Sequence, residues 1–378
     1  MKYVFTCGGT AGHIYPAVSI AQKLSARDDS AEFLFIGAKG MMEMDIVPKE
    51  GYPIEEIPVS NLSRGKKPGD IIHNFKTAFN LVISFFRSLA ILKKAAPDAV
   101  IGTGGYVCFP VLASARILGI PAFIHESNVV PGLTTKMLTG IVDRIFVGYE
   151  SSMKYYPSAK VLYTGTPVRD AFLYENDLFR AKEQLGLDPD FPMVLSVWGS
   201  LGSGFMNGMI EKLSYIFPAD SFNLIHVAGK QYYEDYRKIG ENVPETGQRT
   251  NLAVRDYLYD IPNYFAAADL ILCRAGASTL SELAYIGKPA VIVPSPNVTN
   301  NHQEKNARVF ENAGAAIVLT EGSFSAENLL DSIGKILTSE DLKNTMSQAM
   351  RSFCVPDSAE RIADSILSFI QSVKGNCP

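Results

Sequence analysis

The chain has 378 residues, 47% hydrophobic and 20% charged, with a formal net charge of −4 from 35 basic and 39 acidic side chains. That balance excludes collagen-like, disordered and disulfide-scaffold chains, and the length predicts two or three domains with ample core. No global basic field argues for a nucleic-acid partner.

Short apolar runs alternate with longer helical segments, the pattern of parallel sheets with crossover helices. The first run, residues 3–6, is too short for a signal peptide before Gly8-Gly9 interrupts it. A turn, Gly8-Gly9-Thr10-Ala11-Gly12-His13, leads into a helix over 16–26, and strands are expected at 32–36, 99–101, 122–124, 144–147 and 161–163. A helix is expected over 131–139. The segment 61–95 carries Arg64, Lys66, Lys67, Lys76, Arg87, Lys93 and Lys94 against one acid, Asp70. Along it Phe75, Phe79, Val82, Phe86 and Leu89 form a stripe, widened by Ile83, Phe85 and Leu92, opposite Lys76, Asn80, Ser84 and Ser88. Helical spacing places most of that stripe in the core. Aromatics flanked by cations also suit an anionic membrane surface. Asn80, Ser84, Arg87 and Ser88 break the apolar stretch below the ~18–20 residues that span a bilayer.

A domain boundary is expected near Gly165-Thr166-Pro167, giving domains 1–164 and 165–356. Strands then follow at 193–197, 223–227, 252–254, 270–273, 290–293 and 316–319, and the second domain opens like the first, with Gly199-Ser200-Leu201-Gly202-Ser203-Gly204. A last helix, about 358–373, can pack on either domain. Five cysteines (Cys7, Cys108, Cys273, Cys354, Cys377) lack zinc spacing and read as reduced thiols of a cytosolic protein.

Glycines after a strand let backbone N–H groups approach a phosphate at a helix N-terminus. They also make plain tight turns. Neither glycine turn matches G-x-G-x-x-G, the second strand leads to Gly37-Ala38-Lys39 without a ribose-binding acid, and no P-loop is present, so dinucleotide and P-loop readings are weak. A third loop, Gly102-Thr103-Gly104-Gly105-Tyr106, predicts a second phosphate-bearing ligand on the first domain. In the second half, Arg274-Ala275-Gly276-Ala277-Ser278-Thr279 opens a helix whose hydroxyls and amides suit an anion. Glu282 can accept from ribose hydroxyls or act as a capping carboxylate. Asn300-Asn301-His302-Gln303 suits sugar hydroxyls or a polar cap, and Asp188-Pro189-Asp190 reads as a turn, not a metal pair. No metal or cofactor is expected.

These motifs together resemble the MurG-type UDP-N-acetylglucosamine transferases of peptidoglycan synthesis, in glycosyltransferase family 28. The resemblance rests on Gly8–Ala17, Gly102–Val107, His125-Glu126-Ser127-Asn128 with Pro131-Gly132, Gly165–Arg169, Cys273–Glu282 and His302-Gln303 with Asn306-Ala307. It implies two Rossmann-like domains facing across a cleft, the GT-B fold. It also implies inverting transfer of N-acetylglucosamine from UDP-N-acetylglucosamine to the muramyl 4-hydroxyl of lipid I, giving lipid II. The site is implied to be peripheral, on the cytoplasmic face of the bacterial membrane, with the acceptor and membrane at the first domain. Family binding positions fall on Thr10, Ala11, Gly12, Asn128, Arg169, Ser200, Leu258, Ala277, Ser278, Thr279, Leu280, Ser281, Glu282 and Gln303. Of these, Ser200 and Arg169 would serve the diphosphate, Glu282 the ribose, Leu258 the uracil, and Gln303 with Asn128 the sugar. The second-domain loop departs from the family's glycine-glycine-serine-glutamine-glycine-alanine, reading Trp198-Gly199-Ser200-Leu201-Gly202-Ser203. His302-Gln303 likewise stands for two glutamines.

Inverting transfer needs a base. His13 is one candidate, with an orienting role the alternative, and Glu126 is its rival or a turn holder. Arg169, Ser200 and helix-terminal N–H groups can stabilise the leaving diphosphate without a metal. Competing readings are a diacylglycerol glycosyltransferase, a UDP-sugar epimerase on the same fold, and a non-catalytic UDP-sugar-binding paralogue.

Overall fold

In the computed structural model the described residues are 1–60, 68–172, 177–199, 201–218, 220–239 and 251–375. They form two compact units, Met1–Arg169 with Val355–Pro378, and Asp170–Cys354.

The first unit runs β1 (Lys2–Thr6), α1 (Ala11–Ser25), β2 (Glu32–Ala38), α2 (Glu43–Lys49), β3 (Ile54–Ile57), α3 (Pro68–Ala95), β4 (Ala99–Gly102), α4 (Cys108–Ile117), β5 (Ala122–Glu126), α5 (Leu133–Leu138), β6 (Arg144–Val147) and β7 (Val161–Tyr163). Its seven strands are all parallel, in the order β3-β2-β1-β4-β5-β6-β7. Successive side chains of β1 serve opposite faces, with Tyr3 and Phe5 in one core cluster and Val4 in the other. A sheet covered on both faces reads as continuous apolar runs, which is why its central strands stand out in the sequence. β3, with the sequence Ile-Glu-Glu-Ile, escaped that reading. It lies at the sheet edge, where acidic side chains are tolerated.

The second unit runs α6 (Leu178–Gln184), β8 (Met193–Val197), α7 (Gly204–Ser214), β9 (Asn223–Val227), α8 (Tyr233–Tyr236), β10 (Leu252–Arg255), α9 (Ile261–Ala267), β11 (Leu270–Cys273), α10 (Ala277–Ile286), β12 (Ala290–Ile292), α11 (His302–Asn312), β13 (Ala316–Val318), α12 (Ala326–Leu337) and α13 (Glu340–Arg351). Its six parallel strands are ordered β10-β9-β8-β11-β12-β13. In both sheets the strand order reverses beside the first strand, between β1 and β4 and between β8 and β11. Ligands of doubly wound folds bind outside the carboxyl ends of strands at such points.

The final helix, α14 (Ser358–Gly375), belongs to the first unit. Ile362, Ala363, Ile366 and Ile370 join the core of Ile14, Val18 and Phe5, each isoleucine worth about 2 kcal/mol of burial. Lys23–Glu360 at 3.1 Å and Arg27–Asp364 at 2.7 Å flank the contact. Residues 165–169, expected with the second domain, lie in the first. His125 Nε2 donates to the Gly165 carbonyl at 2.9 Å, and Ser19 Oγ to the Val168 carbonyl at 2.9 Å, which anchors the segment.

α3 overturns an expectation. Most of its apolar stripe is not core: Phe75 is 74% exposed, Phe79 67% and Phe86 64%, and only Leu92 at its margin is fully buried. The side packed inward carries Thr77, Ser84, Ser88, Ile91 and Leu92, all buried. Ser114 of α4 donates to the Phe85 carbonyl at 3.1 Å, showing how closely small side chains let the two helices approach. Contrary to the expected shortfall, the 23 residues His73–Ala95 are long and apolar enough to cross a membrane by length and composition. Arg64, Lys66 and Lys67 lie outside the described residues.

Candidate active site

In the first unit the turns after β1 and β4 meet. Gly8 N donates to the Gly104 carbonyl at 3.2 Å, and Thr103 Oγ1 to the His13 carbonyl at 2.6 Å. Thr10 is the N-cap of α1 and makes no side-chain cap bond, and Ala11 and Gly12 form the first turn with no acid in it. His13 is half-buried, with Nδ1 2.8 Å from the Gly8 carbonyl and 3.4 Å from Thr10 Oγ1. A carbonyl only accepts, so in the neutral ring Nδ1 carries the proton and Nε2 holds the lone pair. Gly104 lies against that edge of the ring. At φ +123° its missing Cβ would sit 2.8 Å from His13 Nε2, so the position admits only glycine. Gly102, Gly105 and half-buried Tyr106 complete the second turn.

A residue missed in the sequence supports this arrangement. Glu43, fully buried at the start of α2, accepts from Gly9 N at 3.0 Å and Ala38 N at 2.9 Å. A Cβ on Gly8 would come within 2.5 Å of its Oε1, and one on Gly37 within 2.6 Å of its Cγ. An acid five residues past β2, with Gly8 and Gly37 upstream of it, was the only sequence signal.

Glu126 is 5% exposed and fully engaged. Oε1 accepts from Asn128 N at 3.0 Å and Asn128 Nδ2 at 2.9 Å, and Oε2 from Gly132 N at 2.8 Å and Thr135 Oγ1 at 2.7 Å. A carboxylate accepts about four hydrogen bonds, so Glu126 has the geometry of a turn holder and positions Asn128. His125 beside it is pushed down to about 4 by burial and stays neutral, taking a hydrogen bond from Ser127 Oγ at 3.2 Å. The Arg169 guanidinium stacks over the Tyr15 ring of α1 at 4.7 Å.

In the second unit α10 starts at Ala277. Its N-cap, Gly276, makes no side-chain cap bond, and no acid occupies the first turn. Ala277, Ser278 and Thr279 are half-buried there and Leu280 is core. Amides and hydroxyls at the start of a helix suit an anion. Ser281 Oγ donates back to the Ala277 carbonyl at 3.0 Å, a bond within the helix. Glu282 lies in the second turn and is 7% exposed, too far along for a capping box. Gln303, in the first turn of α11, accepts from Ser295 N at 2.9 Å through Oε1 and so shapes the turn after β12. Buried Asn306 donates to the Ala275 carbonyl at 3.2 Å. Leu258 is buried beyond β10, between Tyr257 and Tyr259. Ser200 lies outside the described residues. Asp188 Oδ1 accepts from Asp190 N at 3.0 Å, a simple turn.

The departures at the second glycine turn also find places. The Trp198 indole is 3% exposed and donates to Ser196 Oγ at 2.7 Å, which pairs with His226 Nδ1 at 2.9 Å, while His226 Nε2 reaches Asn207 Oδ1 at 3.1 Å. Burial pushes His226 down to about 3. Ser203 caps α7, and Leu201 is 68% exposed.

Two family models, described as the glycosyltransferase family 28 N-terminal domain and C-terminal domain, match residues 3–147 and 193–362. The chain belongs to glycosyltransferase family 28. A family relative from Halalkalibacterium halodurans is 37% identical over 362 residues, 96% of this chain and 98% of that one. It is named UDP-N-acetylglucosamine--N-acetylmuramyl-(pentapeptide) pyrophosphoryl-undecaprenol N-acetylglucosamine transferase. The crystal structure of Acinetobacter baumannii MurG superposes with a TM-score of 0.75 at 26% identity, covering 97% of this chain and 99% of that one. A Listeria monocytogenes structure described as a putative UDP-N-acetylglucosamine 2-epimerase gives 0.71 at 14% identity, covering 98% and 97%, which shows the fold alone. The family 28 chain thus has two Rossmann-like domains of the GT-B class and is a glycosyltransferase.

Proposed function

We propose that this chain moves N-acetylglucosamine, with inversion, from UDP-N-acetylglucosamine to the muramyl 4-hydroxyl of lipid I, yielding lipid II. The observation that carries the reading is the 37% identity over 96% of the chain with a transferase named for that reaction. The second unit takes the donor: α10 amides with Ser278 and Thr279 face its phosphates, Glu282 its ribose, the Leu258 backbone its uracil, and Gln303 its sugar. The first unit takes the acceptor, its diphosphate at Gly102–Tyr106. His13 Nε2 accepts the proton of the attacking 4-hydroxyl, with Nδ1–H held on Gly8. Glu126 orients Asn128 instead of acting as the base. Arg169 and Ser200 assist the departing diphosphate.

Membrane attachment is assigned to α3. Its exposed Phe75, Phe79, Val82 and Phe86 enter the acyl boundary while exposed Lys76, Arg87, Lys93 and Lys94 meet anionic headgroups. Ser84 and Ser88 stay packed in the protein, so the helix lies along the surface of a cytoplasmic leaflet. The test is radiolabel transfer from UDP-N-acetylglucosamine to a short-chain lipid I analogue, beside diacylglycerol and water. Labelled lipid II analogue is the expected product. Label in diacylglycerol alone, or in none, overturns the reading.

A further inference from the structure

We infer that Arg274 is a positioning residue for the donor nucleotide, and that Trp198 and Ser203 hold it in place. This rests on the donor assignment to the second unit. Arg274 directly follows β11 and precedes the Gly276 cap of α10. Its Nη1 donates to the Val293 carbonyl at 3.0 Å and to Glu321 Oε2 at 2.7 Å, and its Nη2 to Ser203 Oγ at 2.7 Å. The guanidinium carbon lies 5.9 Å from the centre of the Trp198 ring. One planar fork therefore ties together the chain beyond β8, β11, β12 and β13, a task suited to arginine and not to the point charge of lysine. Arg274 and Glu321 are only 12% and 15% exposed, so the pair neutralises itself inside the unit. Its effect on a nucleotide passes through the backbone it fixes: the first turn of α10, held in place before any ligand arrives.

Trp198 and Ser203 both lie against Arg274. The indole supplies an apolar and cation–π wall, and the hydroxyl accepts a charge-assisted hydrogen bond. Loosening either partner should weaken donor binding and leave the chemical step alone.

The experiment compares wild type, S203A, E321Q, W198G and W198F by UDP calorimetry and by KM and kcat for UDP-N-acetylglucosamine. Expected are rises in Kd and KM of about three-fold for S203A and E321Q and about ten-fold for W198G, with kcat within about two-fold and W198F recovering most of the loss. Unchanged Kd in S203A, E321Q and W198G, or a falling kcat at constant KM, overturns the inference. So does a W198F as impaired as W198G. Should W198G fail to fold, S203A and E321Q decide alone, since neither removes core volume. A wild type that binds no UDP overturns the donor assignment as well, whereas a binding wild type with indifferent variants overturns this inference only.

Discussion

The two units build the same turn, a parallel strand running through glycines into a helix, but brace it with opposite charges. Beneath the first turn a buried carboxylate, Glu43, takes up Gly9 N, one of the amides an anion would otherwise meet. Beneath the second, Arg274 grips neighbouring loops through carbonyl, carboxylate and hydroxyl oxygens. An amide claimed by the fold cannot also bind phosphate, which supports the proposal that the nucleotide sits on the second unit. The first turn instead presents an imidazole whose tautomer is fixed by Gly8. In the proposed reaction the first turn serves proton transfer and the second charge stabilisation.

Removing the imidazole should separate the two most sharply. His13→Ala is expected to lower kcat about a thousand-fold while UDP affinity, read by calorimetry, stays at the wild-type value. A parallel loss of UDP binding would erase the distinction. Glu43→Ala leaves the buried Ala38 amide without its acceptor and frees that of exposed Gly9, and should cost about 2 kcal/mol in urea unfolding, with Glu43→Gln costing less because one acceptor remains. No loss in Glu43→Ala would show that the first turn needs no brace. The combined change of Phe75, Phe79 and Phe86 to Asp should cut partition onto anionic vesicles at least about ten-fold, with activity on a water-soluble acceptor retained. Undiminished vesicle binding would remove α3 as the docking face.

The smallest expected effect is shared by both units. His125 and His226 are buried with folded values of about 4 and about 3, below the unfolded value of 6.5. The unfolded chain therefore binds protons that the folded one refuses, and stability present above about pH 6.5 is lost as pH falls toward the folded values. Between pH 6.5 and 5.5 each histidine should remove about 1 kcal/mol. Urea midpoints across that range check this, and a His226→Asn chain that retains the full slope would contradict it.

The sheets were legible because buried parallel strands are apolar throughout: residues 144–147, 161–163, 193–197, 223–227 and 270–273 read from sequence coincide with β6, β7, β8, β9 and β11. β3 was not, since its central acids match an edge and break the apolar run. α1 begins at Ala11, five residues before the expected start, because Pro16 was taken as an opening and sits in its second turn. The stripe on α3 misled for a deeper reason. Periodicity identifies an apolar face but not what covers it, and serines proved the better fit to α4. In the sites, glycine turns and His13 were visible as motifs. Glu43 and the partners of Arg274 were not, because their significance arises from residues that the chain brings together only on folding.

The return of α14 to the first unit has a practical consequence for anyone dissecting this enzyme. The carboxyl-side unit is a nested insertion, so cutting the chain after Arg169 does not liberate a folded amino-side fragment. Such a fragment would bare the surface around Ile14 and Val18 that Ile362, Ile366 and Ile370 cover, and should aggregate. Splicing residues 355–375 behind residue 169 through a short flexible linker is the design that should yield it in soluble form.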